Sequence, residues 1–425
     1  MKKLSVFVIF MYVLHVVSAQ SLLDVYKKGV VKLTPDTEYA QGNQWEKVFE
    51  TYYDTIYNSA MGNRKSIVMM PNGSVVVNHK YRDFYSLFDA NGKFVKEFSI
   101  TGMGKKLKET PQITGVIANN FFTELDNMGK MLCFDFNGNY LKTLTLNYSV
   151  RGMIPMSNNK IAVVGWAIWK DRFRDFVAIV DYQTNTEKVI WEEFTVDKGR
   201  CTGNDRQMFD YSYTFQTGGS ISMTTMPYSK FTGISSPPQL AFVNNQLIVG
   251  LPHNGEILTY DVNGKLASKE QIEWGKNFVS VEEQKEIQRK AIEKYSNQKS
   301  WCMPVTATAE ERKKAVETIL KDMKTDLNNI TTTIPIPVFS NMIKDSDGNL
   351  LFFEMPEKEG ANKFNVWIFQ NGGKFVCQSS FECDDYDLSI TPSKMVFHNG
   401  YIYALQTLKD AKGNPLRLVR FKVGN

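Results

Sequence analysis

With 425 residues, 13% of them aromatic and 22% charged, the chain has material for a large core and is not of a disordered class. Its formal charge of +5 becomes +3 once a leader carrying Lys2 and Lys3 is removed, too near balance for a nucleic-acid-binding face. Five cysteines, an odd number spread over so long a chain, imply no disulfide framework.

Residues 1–19 read as a cleavable signal peptide: Lys2 and Lys3 form the positive start, Leu4 to Val17 the apolar stretch, and Val17-Ser18-Ala19 the cleavage site before Gln20. The apolar stretch is short against the roughly 20 residues a membrane span needs, and no second one follows. A secreted or periplasmic chain with no membrane span after cleavage is expected. Gln20 to Tyr57 then holds one strand, Gly29-Val30-Val31-Lys32-Leu33, and an aromatic, polar connector.

From Lys65 onward short alternating strands recur in groups of four. Blade one runs from Lys65 to Ile100, blade two from Ile113 to Leu146 and blade three from Val150 to Phe194. Blade four spans Pro238 to Glu273 and blade five Phe339 to Glu382, and blade six starts at Pro392 and lacks a fourth strand when the chain reaches Asn425. The outer turns repeat as Asp89-Ala90-Asn91-Gly92, Asp135-Phe136-Asn137-Gly138 and Asp261-Val262-Asn263-Gly264, with a weaker copy at Asp181. The steps from Asp89 to Asp135 and from Asp135 to Asp181 are both 46 residues, the spacing of propeller blades. Asn-Gly between apolar runs predicts two-residue turns with both central residues at positive φ.

The expected fold is therefore an all-β, six-bladed β-propeller over residues 20–425, closed by the N-terminal strand Val30 to Leu33 standing in for the missing outer strand of blade six. Four short strands per blade, Asn-Gly turns and a borrowed closing strand resemble the NHL-repeat-like propellers, particularly secreted bacterial ones of unassigned function. That resemblance implies architecture over about residues 60–425, and it spans scaffolds, ligand binders, calcium-dependent lactonases and quinone-dependent sugar dehydrogenases, leaving the activity open.

Two segments depart from the plain ring: a loop insertion at 196–236 and a two-helix insertion at 275–333 between blades four and five. Ser280-Val281-Glu282-Glu283 and Thr308-Ala309-Glu310-Glu311 are capping boxes that open the two helices. Ile287, Ala291 and Tyr295 give the first an apolar face; Val316, Ile319, Leu320, Met323 and Leu327 give one to the second. Both insertions join an outer strand to the next inner strand, so they emerge on the same face as the middle loops, where binding surfaces usually sit.

That face supplies the candidate ligand-binding residues: Tyr81 and Arg82 in blade one, Trp169, Lys170 and Arg172 in blade three, and His253 in blade four. Aromatic planes beside guanidinium groups suit a sugar, an aromatic ring or a carboxylate. The middle loop of blade three is expected over Ile168 to Asp175. No catalytic residue stands out, since no nucleophile-base pair or phosphate-binding loop is visible. Histidine and cysteine spacings make zinc improbable; the recurrent Asp residues and Asp345-Ser346-Asp347-Gly348 fit turn amides better than calcium. Cys377 and Cys383 are too far apart on an extended strand to pair. These readings predict a monomeric module that binds a small molecule, glycan or protein without turnover or cofactor. The alternative is a calcium-dependent hydrolase of lactones or esters with its metal in the central channel.

Overall fold

The computed structural model describes residues 21–49, 66–78, 84–99, 113–118, 120–125, 129–169, 172–196, 209–225, 237–271, 278–298, 301–335, 337–355, 362–370, 373–388 and 394–423. Residues 1–19, read above as a signal peptide, and Tyr81, Arg82, Lys170 and Cys201 lie outside these residues.

Among the described residues, six antiparallel meanders form the blades. Blade one is Ser66–Met69, Val75–Asn78, Tyr85–Phe88 and Phe94–Phe98; blade two is Ile113–Ile117, Asn120–Leu125, Lys130–Asp135 and Tyr140–Thr145. Blade three is Ser149–Pro155, Lys160–Trp169, Arg172–Asp181 and Thr186–Val196; blade four is Gln239–Val243, Gln246–Leu251, Glu256–Asp261 and Leu266–Gln271. Blade five is Phe339–Lys344, Leu350–Glu354, Lys363–Gln370 and Lys374–Glu382, and blade six is Met395–His398, Tyr401–Leu408 and Leu416–Val423. The first strand of each blade touches the first strand of the next, and that of blade six touches that of blade one, so the six close into a ring.

Alternation along each strand sends side chains to both faces of a blade, and the core is the set of seams between blades. Tyr85 and Phe98 of blade one meet Phe121 and Phe134 of blade two in one such seam. Tyr85 and Phe121 stand edge to face at 5.7 Å, a geometry aromatic pairs favour.

The ring closes through strand β1, Val30–Pro35, and this strand serves two blades. Leu33, Thr34 and Pro35 pair antiparallel with Val423, Lys422 and Phe421, completing blade six as expected. Val30, Val31 and Lys32 pair parallel with Ser380, Phe381 and Glu382 of blade five. The connector that follows, which carries no repeat signal in sequence, is a packed strap. Tyr39, Val48 and Phe49 are buried with Phe88 of blade one and Leu405 and Leu418 of blade six, sealing the seam where the ring joins. Asn43 grips blade one directly, donating to the Gly92 carbonyl and accepting from the Phe94 amide.

The repeated outer turns differ from the two-residue form predicted for them. Gly92, Gly138 and Gly264 have positive φ, but Asn91, Asn137 and Asn263 do not. Each turn is a longer loop closed by the Asp amide on the carbonyl four residues ahead, as from Asp89 to Lys93. The physical reason is the aspartate: Asp89 Oδ1 accepts from the amides of both Asn91 and Lys93, and Asp135 and Asp261 do the same in their turns. Such a loop ends in a left-handed glycine. Two-residue turns occur at Asn244-Asn245 and Asn399-Gly400, where both residues are at positive φ. Cys377 lies on the strand Lys374–Glu382 and Cys383 directly follows it; both are free thiols, as is buried Cys133.

Candidate functional site

The meander order puts the hairpin turns on one face of the ring. On the other lie the links between blades and the loops between second and third strands, here called the connection face. Both insertions leave from this face and combine into one unit. The hairpin Phe209–Thr214 and Ser220–Thr225 comes from the first, and the helices Val281–Ser296 and Ala309–Asn329 from the second. Phe209, Tyr211, Phe215 and Ile221 bury with Ala315, Ile319 and Met323 in a core that, among the described residues, contains none from the blades.

The second helix buries the face expected of it through Ile319 and Met323, and the first packs Ala291 and Tyr295 of its expected face against the same core. Gln284 and Gln288 are its buried residues, and Ile287 lies outside the cluster. Glutamine is tolerated there because its amide is paired: Gln288 donates to Tyr211 Oη at 2.8 Å and accepts from Thr225 Oγ1 at 3.0 Å. Gln284 donates to the carbonyls of Val279 and Thr332, clamping the short pairing of Phe278–Val279 with Ile334–Pro335 through which the helices join the ring. Both capping boxes form. The second also ties the two insertions together, since Glu311 accepts from the Gln216 amide in the hairpin turn.

Among the described residues, blade three has the longest strands. The described part of the loop expected from Ile168 to Asp175 is strand instead: pairing continues to Trp169 opposite Arg172. The outer strand follows it to Val196, opposite Arg172, which shows that strand pairing overrides the polarity of this stretch. At the base of this hairpin Arg151, Trp166 and Asp175 gather. Arg151 lies 3.2 Å from the buried Asp175 carboxylate, and its guanidinium sits 5.5 Å from the Trp166 ring. Further out, Arg174 donates to Glu192 at 2.8 Å and covers the Phe176 ring at 4.6 Å. In blade two Glu124 accepts from the Gly129 and Val150 amides and from Ser149 Oγ, joining blade two to the start of blade three.

Of the candidate residues, Trp169 and Arg172 end and begin paired strands at the hairpin tip, directly opposite one another. His253 sits in the loop after Leu247-Ile248-Val249-Gly250-Leu251, half-buried, beside Pro252, whose carbonyl accepts from Val338 as the chain enters blade five. Arg151 and Asp175 were missed in the sequence. Their only signal is two charges inside otherwise apolar strand runs.

The recurrent aspartates are turn residues. Amides of Thr184 and Gln183 hold the Asp181 carboxyl below the usual carboxylate range, and those of Lys265 and Asn263 do so for Asp261. Asp345 likewise accepts from the Asp347 and Asn349 amides, and also from Tyr26 Oη at 3.0 Å. Among the described residues no three His, Cys, Asp or Glu side chains are placed to hold a metal, and no helix is long and apolar enough to cross a membrane.

No family model and no curated protein matches the sequence. Among solved structures the chain is similar to a DUF4221 family member from Bacteroides vulgatus, with 12% identity, TM-score 0.47 and coverage of 93% of this chain and 99% of that one. It is also similar to an inactive virginiamycin B lyase from Staphylococcus aureus, with 11% identity, TM-score 0.37 and coverage of 84% and 94%. BamB from Moraxella catarrhalis has 11% identity, TM-score 0.29 and coverage of 84% and 95%. At these values no activity carries over, and the architecture rests on the strand pairing.

Proposed function

We propose that this chain is an exported propeller that binds a ligand on its connection face without turning it over. The observation that carries this reading is the Arg151–Trp166–Asp175 group at the foot of the tall hairpin, an aromatic plane beside a partly exposed guanidinium. Such pairs recognise sugars, aromatic rings and carboxylates. Tyr81, Arg82, Trp169, Lys170, Arg172 and His253 are proposed as rim residues around it, and the NHL-like resemblance supplies a rigid ring as their support. A calcium-dependent hydrolase would need free carboxylates at this mouth. Asp175 is engaged by Arg151, and Glu124 by two amides and a hydroxyl.

A thermal-shift screen of the mature chain against glycans, aromatic acids and small carboxylates tests the reading. One or more should raise the melting temperature, and the double variant Trp169→Ala, Arg172→Ala should weaken that ligand at least about tenfold, the loss of one good contact of about 1.4 kcal/mol. Chelator should leave the melt unchanged. A chelator-sensitive melt with ester or lactone hydrolysis would replace this reading with the hydrolase.

A further inference from the structure

Blade five carries on its side a group that blades one to four do not repeat. Three residues before the outer-turn residues Asp89, Asp135, Asp181 and Asp261 stand Ser86, Leu132, Ala178 and Leu258; three before Gln370, which takes the place of that aspartate, stands Trp367. Alternation turns Asn365, Trp367 and Phe369 toward blade four, and Trp367 and Phe369 pack there with Val243 and Ile257. On the outer strand Gln378 stands opposite Trp367 and Phe375 opposite Phe369, while Glu354 ends the strand on the other side.

One carboxylate gathers the polar part of this group. Glu354 accepts from Trp367 Nε1, from Asn365 Nδ2 at 2.9 Å and from Gln378 Nε2 at 3.3 Å. Both amides are exposed, and among the described residues neither side chain has another partner, so each keeps a second N–H and a carbonyl oxygen for a ligand. Beside them the Phe375 ring is 47% exposed, 5.4 Å from the ring of Trp367 and 5.5 Å from that of Phe369. The half-buried Trp367 is thus held at its ring nitrogen by Glu354 and on one side by Phe375.

The chemistry of this strip selects the ligand. Hydroxyl groups both donate and accept, as the two amides do, and the C–H faces of a sugar ring pack on aromatic planes. An anion would face the Glu354 carboxylate, and a cation would compete with the three donors that already occupy it. From the level of Phe369 to that of Asn365 the strip runs four residues, about 13 Å of strand, room for more than one sugar ring. We propose that it binds a neutral glycan chain, with sugar rings stacking on Phe375 and Trp367 and hydroxyls bonding Asn365, Gln378 and Glu354. This site is built on blade five, whereas the ligand site proposed above is built on blade three.

The test is affinity electrophoresis of the mature chain through gels holding soluble β-glucan, xylan, galactomannan or starch, with polygalacturonate and diethylaminoethyl-dextran as anionic and cationic comparisons. At least one neutral polysaccharide should retard the chain. Phe375→Ala and Gln378→Ala should each weaken that binding about tenfold, and Phe375→Tyr, which keeps the ring, should retain it. Both side chains are exposed, so the melting temperature should stay close to that of wild type. If Phe375→Ala melts lower, Gln378→Ala alone carries the comparison. The Trp169→Ala, Arg172→Ala double variant should bind as wild type does. No retardation by any neutral polysaccharide, retardation confined to the charged polymers, or retardation that both blade-five variants retain overturns the proposal. If the double variant loses the glycan while the blade-five variants keep it, binding at the connection face stands and the blade-five site does not.

Discussion

Arg420 joins the strap to the ring at a single side chain. Its Nε and Nη2 donate to Asp36 Oδ2 at 3.0 and 2.6 Å, and its guanidinium lies 4.7 Å from the Tyr39 ring and 4.6 Å from that of Tyr401. Burial works against the cation, but the bonds to Tyr403 and Asp36 raise its pKa above the ordinary arginine value, so the charge is held at every working pH. Arg420→Ala leaves the Asp36 carboxylate, 8% exposed, without its partner and should cost about 2–4 kcal/mol, read as a lower midpoint in urea unfolding. Arg420→Lys should recover only part of this, because an ammonium loses the fork and the stacking between rings. Neither the ion pair nor the Tyr39 contact was legible in the sequence, where those partners stand nearly 400 positions from Arg420.

Among the elements, hairpins and helices were the most legible, because their signals are local. The capping boxes Ser280…Glu283 and Thr308…Glu311 start the helices where the sequence puts them, and the blade-five strands begin and end at the expected Phe339 and Glu382. Partnership was not legible. The two insertions read as separate departures from the ring, yet they share one core, because Tyr211 and Phe215 can bury only against the second insertion's helices. Gln288 is the polar centre of that joint, and Gln288→Ala would take one partner from each of Tyr211 Oη and Thr225 Oγ1. A local loss of roughly 1–3 kcal/mol is expected. Hydrogen exchange should quicken in residues 209–225 and 281–329 with blade protection unchanged, whereas uniform loss across the ring would show that the insertions and blades unfold as one.

At the scale of the whole molecule, stability depends on how the ring is joined. Glu382 is the charged link there, 3.0 Å from Lys363 of its own blade and 3.0 Å from Lys32 of the closing strand. These bonds, that to Lys363 foremost, bring its pKa from 4.5 down to about 2. Since the folded value is the lower one, the link's contribution is complete above the ordinary glutamate range and fades as pH falls from about 4.5 toward 2. A surface link of this kind is worth under about 1 kcal/mol. Glu382→Gln should therefore melt slightly below wild type at pH 7, and the gap should vanish near pH 2. A gap that persists at low pH would mean that Glu382 acts through packing and not through its charge.

The amino-acid sequence by itself determined the strands, the blade count, the closing strand and the helix starts, because turn chemistry, two-residue alternation and capping act over a few residues. It misjudged the Asp-x-Asn-Gly turns, where the aspartate's two amide bonds select the longer loop, and blade three, where pairing on both sides carries strand through Trp169 and Arg172. Only the tertiary structure decided that the strap seals the last seam and that the insertions fold together. Each of these depends on the ring closing, which brings residues hundreds of positions apart into contact and leaves no periodic mark in the chain.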